Sequence, residues 1–238
     1  MNFVSVYLRL YGDCARKAFA GIGHNAWTLL LPMALAVAMA LAGAIASLLG
    51  IIGGFLLGFA AVAVLGSYLY FVSEIVGTGR VHLSELRQSF VGLFWPVMGV
   101  AFVVWIARFL LGYALAQNPK AGVLSQLFEL VVLLLVLVNP TPEVIYQRGM
   151  SSGLATLQRS FQFIQENWIE WYVPNVLLGA GVWFLLGALS GLGYAGLIAV
   201  ALAAGAALHW VMVFRGHLYR ALDGSTHRQR MFRYRTGA

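Results

Sequence analysis

The sequence predicts an all-α integral membrane protein: six transmembrane helices arranged as three parallel helical-hairpin repeats, each preceded by a cytoplasmic-side amphipathic helix. Three observations lead there. Of the 238 residues, 61% are hydrophobic and 10% charged, against roughly 45–50% and about 25% in soluble domains, and no globular core hides that much apolar surface. Six runs reach the length of about 20 residues that crosses a hydrocarbon core. An amphipathic pattern also recurs at a spacing of 71 residues.

The six runs are 26–49, 51–76, 94–116, 121–139, 168–189 and 192–214. They read as helices because an isolated segment in lipid must satisfy its own backbone hydrogen bonds, and they lack the alternation of a membrane barrel strand. Short connections pair them: Gly50 with Gly53-Gly54, Gln117-Asn118-Pro119-Lys120, and Ser190-Gly191. Of fifteen Lys and Arg, only Lys120 lies in a short turn and only Arg108 inside a run. The other thirteen share the opposite side, so the positive-inside rule puts both termini in the cytoplasm of a bacterial inner membrane. Trp27, Trp95, Trp168 and Trp171 fall at the cytoplasmic ends of runs, where indole favours the headgroup layer. The N-terminus lacks the pattern of a cleaved signal peptide.

Each hairpin is introduced by an apolar stripe. Leu83, Leu86, Phe90 and Leu93 recur at helical spacing, and Leu154, Leu157, Phe161 and Ile164 repeat those offsets 71 residues later. Phe19, with Ala15 and Ile22, continues the series backwards. Neighbours match as well: Arg16-Lys17-Ala18-Phe19, Arg87-Gln88-Ser89-Phe90 and Gln158-Arg159-Ser160-Phe161. Pro32 and Pro174 each stand 13 residues beyond their Phe. The chain divides into repeat-like units 1–76, 77–147 and 148–220 and a basic tail, 221–238, within a single membrane domain. All copies share one topology, as parallel repeats do.

Charges at membrane depth are costly and face the interior or a cavity. Arg108 and Glu129 are equidistant from the Asn118-Pro119 turn, which predicts an intramembrane ion pair, either a lock on the hairpin or part of a relay. Glu74 and Glu143 occupy near-equivalent repeat positions; together with His209 they form a candidate polar path or interface. The two carboxylates are expected to pair with interfacial arginines such as Arg87 or Arg159, and His209 to hydrogen-bond within the core. Asn139-Pro140-Thr141-Pro142 must interrupt its helix. Arg215, Arg220, Arg228, Arg230, Arg233 and Arg235 are expected to contact anionic lipid headgroups or a partner protein. Nucleic acid is not an expected partner, because cytoplasmic cations already follow from topology.

Chemistry is not visible. His24, His82, His209, His217 and His227 are scattered, Cys14 is the one cysteine, and neither a metal-ligand spacing nor a nucleophile elbow nor a phosphate loop occurs. No cofactor, metal or enzymatic activity is expected.

The stretch Pro142-Glu143-Val144-Ile145, Leu157-Gln158-Arg159-Ser160-Phe161 and Glu166-Asn167-Trp168 resembles uncharacterised bacterial multi-span proteins similar to the membrane domain of glycerophosphoryl diester phosphodiesterases. The soluble catalytic barrel of those enzymes has no counterpart here, so the resemblance implies a membrane module without an attached activity. The expected function is a non-catalytic integral subunit or scaffold of an inner-membrane assembly, with protein partners in the bilayer. The alternative is a small-solute or ion transporter or channel using Arg108 and Glu129.

Overall fold

The computed structural model describes residues 3–117, 129, 136, 138–150, 152–189, 193–226, 228–230 and 232, and its regular elements among these are helices. Helix α1 (Phe3–His24) buries Val6, Leu10, Cys14, Ala18 and Ile22, a strict every-fourth-residue seam, and turns Arg9, Arg16 and Lys17 outward. It breaks at Asn25 (φ −130°, ψ 43°). A short 3-10 turn (Ala26–Leu30) then leads into α2 (Leu31–Ser47), whose Pro32 sits in the first turn, where no N–H is needed.

A tight turn reverses the chain into α3 (Gly50–Thr78). Gly79 closes α3 at φ +75°, its N–H reaching the Ile75 carbonyl at 3.1 Å; a side chain would strain that left-handed cap. A second 3-10 turn (Leu83–Glu85) and the seven-residue α4 (Leu86–Gly92) precede α5 (Phe94–Gln117). Helix α6 (Thr141–Arg148) follows, then α7 (Gly153–Leu189), kinked at Asn167, and α8 (Gly193–Asp223).

Among the described residues, four helical segments are long and apolar enough to cross a membrane: Ala26–Ser47, Gly50–Thr78, Phe94–Ala114 and Ile198–Asp223. The predicted fifth run, 168–189, is the second half of α7. The fourth run, 121–139, lies outside the described residues apart from its positions 129, 136, 138 and 139, as do the turn residues 118–120 and 190–191. Helix α8 is the hub, packing on α1, α2, α3, α6 and α7, while α5 packs on α3 and α7. At the α5–α7 contact, a Cβ on Gly153 would collide with the Gly99 carbonyl, so only glycine allows that approach.

Burial is lopsided. Leu69, Phe71, Val72, Ile75, Phe163, Trp171, Leu218, Tyr219 and Leu222 pack at the end of the bundle that carries the charged residues. At the other end Leu48, Ile51, Ile52, Phe55, Trp183 and Phe184 are exposed. Apolar spans gain little by burying against one another when lipid is the alternative, which fits close packing concentrated at the end with the charged residues.

The expected stripes face inward only in part: Ile22 and Ile164 are buried, but their phenylalanines are not. Ala18, Ser89 and Ser160, spaced by 71 residues, are each fully buried, whereas Phe19 is 65% and Phe90 39% exposed. Small residues face inward because these helical segments lie close on their neighbours. The Ser89 hydroxyl is 2.6 Å from that of Ser67 on α3, a contact a phenylalanine would prevent. Trp95 and Trp168 are exposed, whereas Trp171 is buried.

The seam of α1 makes a direct prediction. Burial pushes the Cys14 thiol up to about 12. Maleimide labelling of the folded protein at pH 8 should therefore run about two orders of magnitude or more below that of an open thiol, and unfolding in detergent should restore it. Fast labelling of the native protein would show that α1 is not packed as described.

Candidate functional site

Helix breaks release backbone groups, and the polar side chains at the charged end gather on them. Pro142 has no N–H to offer the Val138 carbonyl, which is taken instead by the N–H of Thr141 at 3.0 Å and by its hydroxyl. The break sets Glu143 at 0% exposure in the first turn of α6. Arg215 of α8 meets it, donating from Nη2 to Oε2 at 3.0 Å, with Nε 2.8 Å from Oε1 as an ion-pair contact. The same Nη2 donates to the Asn139 carbonyl at 2.9 Å. The guanidinium carbon lies 5.1 Å from the Trp171 ring centre, and Trp171 Nε1 donates to Asn139 Oδ1 at 3.2 Å. Burial pushes the Glu143 carboxyl up, and the Arg215 charge and hydrogen bonds pull it back. The buried hydroxyls of Tyr68 and Tyr146 have no hydrogen-bond partner among the described residues.

Two further clusters flank this pair. Glu170 Oε1 accepts from Tyr7 Oη at 2.7 Å and lies 3.4 Å from Arg230 Nη2, which also donates to Asn167 Oδ1 at 3.1 Å. Asp223 holds Arg148 and Arg159, each by a guanidinium nitrogen at 2.5 Å. Arg220 donates to the Val76 carbonyl at 2.8 Å, and Gln147 to the Gly216 carbonyl at 2.8 Å. All these side chains tie one helix to another.

The predicted sites divide on this geometry. Glu143 is in the network, but its partner is Arg215; Arg159, one of the expected partners, is committed to Asp223. The reason is position, since α8 runs beside α6 and presents Arg215 there. His209 is a core residue as expected: it is fully buried, with Nε2 3.0 Å from Thr28 Oγ1 and its ring edge-on to Tyr68. Because the Thr28 hydroxyl donates to the Asn25 carbonyl at 2.7 Å, His209 Nε2 is the donor in that contact.

Glu74 is half-buried on α3 and joins no ion pair among the described residues. Arg108 and Glu129 are both exposed, and no ion pair joins them among the described residues. Arg108 instead borders an open cavity with Trp105, Phe109, Gly112 and Tyr113.

The basic tail is corrected in part. Arg215 and Arg230 are turned inward onto carboxylates, leaving Arg228 exposed; Arg233 and Arg235 lie outside the described residues. Glu170, Asp223, Asn25 and Asn167 are participants that the sequence reading did not single out. The two asparagines carried a signal, since they stand two repeat spacings apart. No group of three or more metal-ligating side chains is assembled among the described residues.

No protein-family model, curated protein or solved structure matches this chain.

Replacing Arg215 by Met strands a buried carboxylate and should cost about 3–5 kcal/mol of stability, whereas Glu143→Gln with Arg215→Met should recover a large part of it. The single variant should also respond to pH. With its cation gone, the Glu143 carboxyl rises further above its unfolded value, so the folded state takes up the proton first. Stability should then increase as pH falls through that raised value and be lost as pH rises through it. Thermal melts in detergent across pH 4–9 check both; equal melting of single and double variants at every pH would contradict the assignment.

Proposed function

We propose that the chain crosses a bacterial inner membrane six times with both termini in the cytoplasm, and that it is a non-catalytic integral subunit or scaffold of a membrane assembly. One observation carries this reading. The buried carboxylates Glu143 and Glu170 are matched by arginines from another element, and each match fastens helices together. Such an arrangement spends its charge on holding shape, with the apolar spans left to face lipid and neighbouring proteins.

The three-unit organisation is supported by the common burial of Ala18, Ser89 and Ser160 and by the matching breaks at Asn25 and Asn167 (φ −130°, ψ 43° and φ −136°, ψ 26°). In both breaks the amide nitrogen donates to the carbonyl four residues back, Gly21 or Phe163. The exposed Arg9, Arg16, Lys17 and Arg228 suit anionic headgroups at the cytoplasmic face. The resemblance to phosphodiesterase membrane domains fits a module of this kind. A transport path is less well supported: Glu143 and His209 are already bonded within the protein, and Arg108 and Glu129 stand apart.

The test combines purification in mild detergent with flux assays in liposomes. A stoichiometric membrane partner should copurify with both the parent and the Arg108→Gln/Glu129→Gln variant, and neither should raise ion flux. A protein that purifies alone and conducts, and whose conductance the double variant abolishes while folding normally, would establish the transporter reading instead. A reporter placed after Lys120 should report from outside the cytoplasm; a cytoplasmic signal there would remove the six-span topology.

A further inference from the structure

The two matching helix breaks are secured by different means. At Asn25 the latch is the chain itself. Asn25 Oδ1 accepts the Val81 N–H at 2.9 Å and Nδ2 donates to the Gly79 carbonyl at 2.9 Å, so the backbone leaving α3 is tied directly to the end of α1. Gly79 and Val81 correspond, two repeat spacings on, to Ala221 and Asp223 at the end of α8. The backbone there does not reach Asn167. A single side chain from further along the tail does so.

That side chain is Arg230, 3% exposed although it lies beyond the last long helix. Its Nη1 donates to the carbonyls of Ser225 at 2.6 Å and Leu222 at 3.2 Å, and its Nη2 to Asn167 Oδ1 at 3.1 Å beside Glu170. Glu170 is also where α1 attaches, through Tyr7 Oη to its carboxylate and Tyr11 Oη to its carbonyl at 3.2 Å. The guanidinium thus links the end of α8, the kink of α7 and the first turns of α1. It is carried by one helical turn, in which the Thr226 N–H donates to Gln229 Oε1 at 2.8 Å and the Gln229 N–H returns to Thr226 Oγ1 at 3.3 Å. Isolated helical turns are marginal in water, and beneath this one lies a cavity of about 470 Å³ walled by Glu166, Asn167, Asp223 and Arg230.

We propose that the stretch from Gly224 to Arg230 is a releasable strap, with Arg230 as its pin, that clamps the α7 kink and the start of α1 to the end of α8. With the pin seated, the interfacial half of α7 is held at a fixed angle to its spanning half. With the pin withdrawn, Asn167 and Glu170 lose their shared donor, and the interfacial halves of α7 and α1 can move about the kink while the α3–α8 core stays packed. The Asn25 break has no such freedom, because its latch is continuous backbone.

Hydrogen exchange of the full chain in lipid nanodiscs tests this. Arg230→Ala should accelerate exchange at least about tenfold in three places: the tail, residues 163–170 of α7 and residues 7–11 of α1. Arg230→Lys should do the same around 163–167, since a point ammonium cannot span Asn167, Leu222 and Ser225 together. Residues 67–76 of α3 should keep parental protection in both. If only the tail accelerates, with α7 and α1 unchanged, the strap does not hold the kink and the proposal fails. Should Arg230→Ala also loosen α3, the Glu170→Gln/Arg230→Met pair leaves no bare buried carboxylate and is judged on the same peptides by the same criterion.

Discussion

The structure depends on one constraint: wherever a helix stops or bends at the edge of the apolar layer, the backbone groups released there need partners that water cannot reliably supply. Three internal breaks of this kind among the described residues, at Asn25, at residues 139–142 and at Asn167, are answered by side chains. Asn25 serves Gly21, Gly79 and Val81; Thr141 serves Val138; Arg215 serves Asn139; and Asn167 serves Phe163. The charged residues then follow from the breaks. Arg215 on the Asn139 carbonyl is a buried cation and needs Glu143. Arg230 on Asn167 is another and finds Glu170. A buried pair of this sort adds little net stability over an apolar substitute, but losing half of it is expensive, so the network acts mainly to specify which helix ends meet.

Much of the architecture is legible in the sequence because lipid imposes simple rules. Composition alone requires a membrane protein, and the long apolar helices begin and end near the Gly and Pro punctuation that marks them. The interruption at Asn139-Pro140-Thr141-Pro142 follows from proline chemistry and is present, as is the core role of His209. The register of the interfacial helices was not legible. Hydrophobicity points to Phe19, Phe90 and Phe161 as inward residues, yet in a membrane a large apolar side chain has a second favourable environment outside the protein. Close approach therefore selects Ala18, Ser89 and Ser160.

The charged site shows the same limit more sharply. Glu143 could be named from its burial-prone position after a proline break, but its partner could not, since Arg215 is 72 residues away in the chain. Topology alone would class Arg215 and Arg230 with the solvent-facing cations of the tail. What distinguishes them is the presence of carboxylates on α6 and α7 opposite, which only the packing reveals. The symmetric placement of Arg108 and Glu129 about a turn is, conversely, a clear sequence signal with no ion pair behind it among the described residues. Equal distance from a turn fixes depth and leaves rotation about each helix axis open.

The central position of α8 bears on biogenesis. Thr28, Val76, Glu143 and Glu170 are all completed by groups on α8 or beyond it. In N-to-C synthesis those positions are therefore made first and stay unmatched until α8 has been made. Until then the earlier helices lack their partners, which makes the arrival of α8 a natural checkpoint for quality control.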